Sequence, residues 1–104
     1  MRDHDGLTFS LKEYERRLTE LRQRMQERLL DAVIISDPEN LAYLTGHQTT
    51  GYSFFQALLV PIDREPVSIT RHLETSNIEY RTWVEDARYY SDTGDAIQML
   101  YDVI

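Results

Sequence analysis

The sequence predicts an α/β fold in three layers, a mixed β-sheet flanked by helices, and three observations predict it. Apolar residues recur at helical spacing over 11–29 and again beyond residue 95. Between them lie short apolar runs at 32–36, 56–62, 67–70 and 87–90, the pattern of strands. Helical segments separate the first run from the second and the third from the fourth. Only the turn Asp63-Arg64-Glu65-Pro66 separates the second from the third, which marks a hairpin. A hairpin joined to strands reached through helices makes the sheet mixed.

Each element has its own justification. Residues 1–8 are polar and are expected to be loosely held. Ser10 and Glu13 have the spacing of a capping box, and Phe9 and Tyr14 that of a hydrophobic staple, so a helix starts at 11. Leu11, Tyr14, Leu18, Leu21, Met25 and Leu29 form its buried stripe, and the charged residues between them form a solvated face. Ala32 to Ile35 is a continuous apolar run, which predicts a strand covered on both faces. Asp37 is placed to cap a helix over 38–44, with Pro38 at its first position and Gly46 to end it in the left-handed conformation. Residues 47–55 read as a loop of glycine, hydroxyls and aromatics. Leu73, Ile78 and Trp83 are expected inward on a helix over 73–81, and Asp92-Thr93-Gly94 turns the chain into a last helix from about Asp95. That helix should bury Ala96, Ile97, Leu100, Tyr101 and Ile104, and it carries no stop signal, as if the pattern belonged to a longer protein.

Composition narrows the function classes. The chain has 104 residues, enough for one domain with its own core. It has no cysteine, which excludes disulfides, thiolate zinc sites and cysteine nucleophiles. The net charge of −7 argues against a nucleic-acid surface. No apolar run reaches the roughly 20 residues of a membrane helix. With no apolar leader segment, the expected compartment is the cytoplasm.

Motifs for chemistry are scarce. The sequence contains no H-E-x-x-H, no G-x-S-x-G, no Walker loop and no G-x-G-x-x-G. His4 reads as a bystander, His47 as a surface residue after a helix-ending glycine, and His72 as capping or exposed. The carboxylates of Asp92 and Asp95 read as a turn with an N-cap. Tyr52, Phe54 and Phe55 cluster in the loop before the second strand and are expected to turn into the core. On the residues alone this is a folded α/β module without a self-sufficient active site.

An ordered series of segments carries a family resemblance. It runs from Phe9, Tyr14, Arg17-Leu18, Leu21-Arg22 and Met25, through Leu30-Asp31-Ala32, to Asp37-Pro38-Glu39-Asn40-Leu41-Ala42-Tyr43-Leu44-Thr45-Gly46. Thr70-Arg71-His72-Leu73-Glu74, Asn77, Trp83, Tyr90 and the Asp92–Asp95 turn follow. The chain from 9 to 104 resembles the N-terminal domain of the creatinase, prolidase and Xaa-Pro aminopeptidase group, the pita-bread hydrolases. That resemblance implies a ribonuclease-H-like fold without nuclease activity, preceding a catalytic domain absent from this chain. In peptidase members that other half binds two divalent metal ions, so no catalytic residue, metal ligand or cofactor falls on this sequence. The resemblance also implies a homodimer in which this domain covers the partner's active site and meets a small peptide or amide substrate. Tyr52 is then the first candidate for a substrate-facing side chain, with His47 and Phe54 next, and Arg71 a candidate for a substrate carboxylate. The family often has glycine at the position of Leu29. Where creatinase has an arginine near the loop aromatic this chain has Phe54, so an ectoine-hydrolase-like or Xaa-Pro peptidase relative fits better than creatinase. The competing reading is a stand-alone binding or scaffold module of the same fold.

Overall fold

The structure is a computed structural model that describes residues 1–48, 55–91 and 96–104. In chain order the elements are α1 (Leu11–Glu27), β1 (Ala32–Ile35), α2 (Pro38–Thr45), β2 (Ala57–Pro61), β3 (Val67–Arg71), a 3-10 turn (His72–Glu74), α3 (Thr75–Arg81), β4 (Asp86–Tyr90) and α4 (Ala96–Val103). The strands lie in the order β1-β2-β3-β4. The pairs β1–β2 and β2–β3 are antiparallel, and β3–β4, joined through α3, is parallel. The mixed sheet and its hairpin are those the sequence predicts.

α1 begins as its sequence dictates. The Glu13 N–H donates to Ser10 Oγ at 3.2 Å, and the Phe9 and Tyr14 rings meet edge-on at 6.1 Å. The return half of the capping box goes elsewhere. Glu13 accepts hydrogen bonds from Arg16 and then Arg17, and these pairings, with Arg16 the stronger influence, hold its carboxyl at about 2. On an exposed helix surface such pairs add little to stability. Two arginines of the supposed solvated face leave it. Arg17 lies over the Phe9 and Tyr43 rings at 4.5 and 4.3 Å and donates to the Tyr43 carbonyl, tying α1 to α2. Arg22 donates to the carbonyls of Pro61 and Arg64, pinning α1 to the hairpin.

The end of α1 corrects the expected stripe. Leu29 is 91% exposed, because the helix stops at Glu27 and Leu29 sits at φ 58° in the left-handed region. The Leu29 N–H reaches the Gln26 carbonyl at 3.1 Å and the Leu30 N–H reaches Met25 at 2.8 Å. These are the two bonds of a Schellman motif, built here around a leucine instead of the usual glycine. Leu29→Gly should therefore stabilise the domain by about 0.5–1 kcal/mol, since losing a left-handed penalty of about 1–2 kcal/mol outweighs glycine's added freedom in the unfolded chain and almost no burial is lost. The denaturant midpoint, at unchanged slope, measures it.

Pairing register assigns the two faces of the sheet. Val33 and Ile35 share a face with Val60 and Leu58, and these two β2 residues sit in one core with Tyr14, Leu18 and Met25 of α1 and Leu41 and Leu44 of α2. Trp83 and Val84, just before β4, complete that core. α4 packs against β3 and β4. β2 and β3 are the strands covered on both faces. β1, expected to be so covered, is an edge strand whose exposure alternates, with Ile34 48% exposed. Its continuous apolar run misleads because an antiparallel edge needs only one buried face.

Two further expectations are corrected. Leu73 is 74% exposed on the 3-10 turn, while Ile78 and Trp83 are buried as expected. On α4 the half-buried residues are Ala96, Met99, Leu100 and Val103, and Ile97, Tyr101 and Ile104 face outward. Residues 1–8, read from their polarity as loosely held, lie along the α3–β4 corner. The Arg2 N–H donates to the Trp83 carbonyl at 2.8 Å, and His4 Nε2 meets the Thr82 carbonyl at 2.8 Å. At Gly6 an added Cβ would stand 1.8 Å from the Tyr80 carbonyl, so the strap fits only without a side chain there. The Asp92–Asp95 turn lies outside the described residues.

Candidate functional site

One end of the sheet gathers the polar residues that the core leaves over. The parallel strands β3 and β4 finish there at Arg71 and Tyr90, which are register partners, and β2 starts beside them. In open α/β sheets the C-terminal ends of parallel strands are where ligands bind. The Tyr90 hydroxyl donates to the Phe55 carbonyl at 2.5 Å, fixing the chain as it enters β2. Phe55 itself is half-buried.

α2 delivers His47 to this end. Asp37 caps α2 by accepting from the Asn40 N–H at 3.0 Å and from the Asn40 amide, and this hydrogen bonding holds the Asp37 carboxyl below its usual range. At the other end Gly46 takes φ 87° and bonds back to the Ala42 carbonyl. The Thr45 hydroxyl donates to Leu41 and accepts the His47 N–H at 3.1 Å. This left-handed exit turns His47 inward. It is 3% exposed, so the expected surface position is corrected.

His47 Nε2 points to Glu74 Oε2 at 3.9 Å, too long for a hydrogen bond, and no described residue bonds to that nitrogen. Glu74 accepts from the Asn77 amide at 2.5 Å. The turn holding Glu74 is tied by the Thr75 hydroxyl to the His72 carbonyl, and the exposed His72 stacks edge-on with Tyr89 at 6.3 Å. Glu74 and Asn77 are the site residues that sequence reasoning gave no role. They stand in the segments carrying the family resemblance, but no spacing rule shows that their turn folds back onto the end of α2.

Burial lowers the His47 pKa, and the opposing pull of Glu74 does not cancel it. A depressed folded-state value means that, as pH falls, the unfolded chain takes up the proton first. Stability from neutral His47 is therefore complete above its ordinary value of 6.5 and drains away as pH drops below it, levelling once the folded value is passed. His47→Gln should lack this acid-side share. Denaturant midpoints of both proteins between about pH 7.5 and 5 test the difference, and parallel curves would refute it.

Of the sequence candidates, the structure brings His47 to Glu74 and places Arg71 three residues before Glu74, at the end of β3. Tyr52 and Phe54 lie outside the described residues. His4 belongs to the strap on the α3–β4 corner. Among the described residues no three His, Asp or Glu side chains stand close enough to hold a metal ion, and no helix is long and apolar enough to cross a membrane.

A four-stranded mixed sheet with helices, and polar residues gathered at the ends of its parallel strands, defines an α/β domain. The chain belongs to the Creatinase/Prolidase N-terminal domain family, which it matches over residues 17–104. It is 36% identical over 91 residues to the ectoine hydrolase of Halomonas elongata, covering 84% of this chain and 22% of that protein. An uncharacterised hydrolase/peptidase of Sinorhizobium fredii is also 36% identical, over 83 residues, covering 79% of this chain and 21% of the relative. The chain thus spans about a fifth of the length of these curated relatives. Among solved structures it superimposes on the N-terminal domain of an Xaa-Pro dipeptidase from Streptococcus pyogenes with TM-score 0.76 at 22% identity, covering 86% of this chain and 67% of that one. The dipeptidase PepE of Mycobacterium ulcerans gives TM-score 0.74 at 22% identity, covering 96% and 26%. These structural likenesses establish the fold.

Proposed function

We propose that this domain is the non-catalytic N-terminal part of a metal-dependent hydrolase acting on Xaa-Pro peptides or a related small amide such as ectoine. The observation that carries the reading is family membership over residues 17–104 in a chain that spans about a fifth of its hydrolase relatives. Chemistry belongs to the other part of such a protein, and this domain contributes binding. Its 47–55 loop leans over the active site of a partner subunit in a homodimer. The buried His47 beside Glu74 anchors one end of that loop, and the Tyr90 hydroxyl on the Phe55 carbonyl anchors the other. Its rings and hydroxyls together offer apolar contact and hydrogen bonds to a small substrate. Tyr52 and Phe54 supply rings, and Arg71 supplies charge for a carboxylate.

The test uses the full-length enzyme. Tyr52→Ala should lower kcat/KM on the preferred substrate by about 10-fold or more, equivalent to about 1.4 kcal/mol of lost transition-state stabilisation, with fold and metal content unchanged. Turnover and affinity both within twofold of wild type would sink the loop's role.

A further inference from the structure

The β1 edge of the sheet is unusual for an exposed strand. Natural edge strands are blunted by charges, proline or bulges, because an open edge pairs with other chains. β1 reads Ala-Val-Ile-Ile, is paired on one side only among the described residues, and leaves Ile34 48% exposed. A groove runs along its α1/α2 face. It is formed by adjoining cavities of about 460 and 240 Å³ that share Leu21, Arg24 and Val33.

Charge is distributed along this edge with a direction. Arg24 and Arg28 are exposed at the C-terminal end of α1, beside the start of β1. Asp37 and Glu39 are exposed at the N-terminal end of α2, just past the end of β1. Among the described residues none of these four side chains is in an ion pair. An antiparallel copy of β1 would set its own α2 start beside this chain's α1 end. The basic pair would then meet the acidic pair, twice by symmetry. Each charge suits the end of the helix that carries it, so the favourable term across the pairing is the attraction between the basic and acidic side chains themselves.

We propose that the outer edge of β1 docks a second copy of this chain, the two β1 strands pairing antiparallel about Ile34. Side chains opposite each other in an antiparallel pair share a face, so Ile34 meets Ile34 of the second copy and Val33 meets Ile35. Two four-stranded sheets become one of eight, and the open side of the groove is closed by its symmetry mate. This interface is independent of the proposed substrate role, because β1 lies at the opposite edge of the sheet from β4.

The absence of native cysteine makes the register directly testable. In this pairing, two Ile34 Cα atoms come within disulfide range, while two Ala32 Cα atoms lie about 13 Å apart. Under mild oxidation the Ile34→Cys chain should cross-link to a dimer at least about 10-fold faster than the Ala32→Cys chain. Light scattering of the wild-type chain should show a dimer that Ile34→Lys converts to monomer with an unchanged circular dichroism spectrum. Arg28→Glu should weaken it, and Arg28→Glu with Glu39→Arg should restore it. A wild-type chain that stays monomeric up to about 1 mM, roughly the affinity of a 4 kcal/mol contact, overturns the proposal. So does equal cross-linking at 32 and 34, or a dimer that survives Ile34→Lys; the first result would leave the edge to a different, extended partner.

Discussion

Trp83→Ala is expected to cost about 4 kcal/mol, a large part of the 5–15 kcal/mol that holds a domain of this kind. The indole is fully buried, with no exposed surface, in the core shared by α1, α2 and β2. Removing it leaves a cavity that backbone anchored on both sides cannot collapse to fill. The Arg2 N–H holds the Trp83 carbonyl, and the Thr82 hydroxyl donates to Ile78 while accepting the Val84 N–H. The loss is more than apolar. Trp83 Nε1 donates to the Leu44 carbonyl at 2.7 Å, one of the last-turn carbonyls that α2 cannot satisfy internally. Trp83→Phe separates the two effects. It keeps most of the apolar area and should cost about 1–3 kcal/mol for the carbonyl left buried without its donor. Urea unfolding of both variants measures the pair, and a change below about 1 kcal/mol for Trp83→Ala would contradict the assigned burial.

That one residue joins the end of α2 to the start of β4 explains what was legible in the sequence and what was not. Local rules carried far. The caps of Ser10 and Asp37, the left-handed Gly46 and the hairpin at 63–66 were readable because each depends on residues within about four positions. The mixed sheet followed from the order of those elements. Misreadings came where burial is decided by distant chain. The apolar run of β1 cannot reveal that it lies at an edge, and Leu73 resembles a core residue until a 3-10 turn replaces the first turn of a helix. Arg17 and Arg22 look like solvated charge, but their long stems let the guanidinium groups reach aromatic rings and carbonyls of other elements.

The candidate site was less legible than the fold. His47 reads as a surface histidine because it follows a helix-ending glycine. That same glycine turns the chain so that the imidazole enters the protein beside Glu74. Glu74 and Asn77 carry no motif of their own, and their roles depend on a fold-back that brings Glu74 to His47, 27 positions earlier in the chain. Arg71, by contrast, closes β3 one residue past the 67–70 run, so its place follows from local sequence.

Gly46→Ala should be the second most damaging single change, and its contrast with Leu29 gives the reason. Both residues are left-handed, at φ 87° and 58°. Leu29 stands in solvent, so its penalty is the intrinsic left-handed cost of about 1–2 kcal/mol and nothing else. At Gly46 an added Cβ would sit 2.7 Å from the Arg81 carbonyl and 3.0 Å from the Tyr14 hydroxyl. The first obstacle is backbone at the end of α3, and the second belongs to a side chain with no exposed surface, so neither can swing away. Relief requires α2 to move from α3, and that movement pulls on the Trp83–Leu44 hydrogen bond and shifts His47 from Glu74. A loss of about 3 kcal/mol or more follows from conformational strain and overpacking together. The two sites should also answer oppositely, since Leu29→Gly gains stability. Denaturant midpoints of Gly46→Ala, Leu29→Gly and the double variant test this. The two effects should add within about 0.5 kcal/mol if the left-handed positions act independently at opposite ends of β1 and α2. A Gly46→Ala cost no larger than the left-handed penalty alone would show that α3 does not press on this turn.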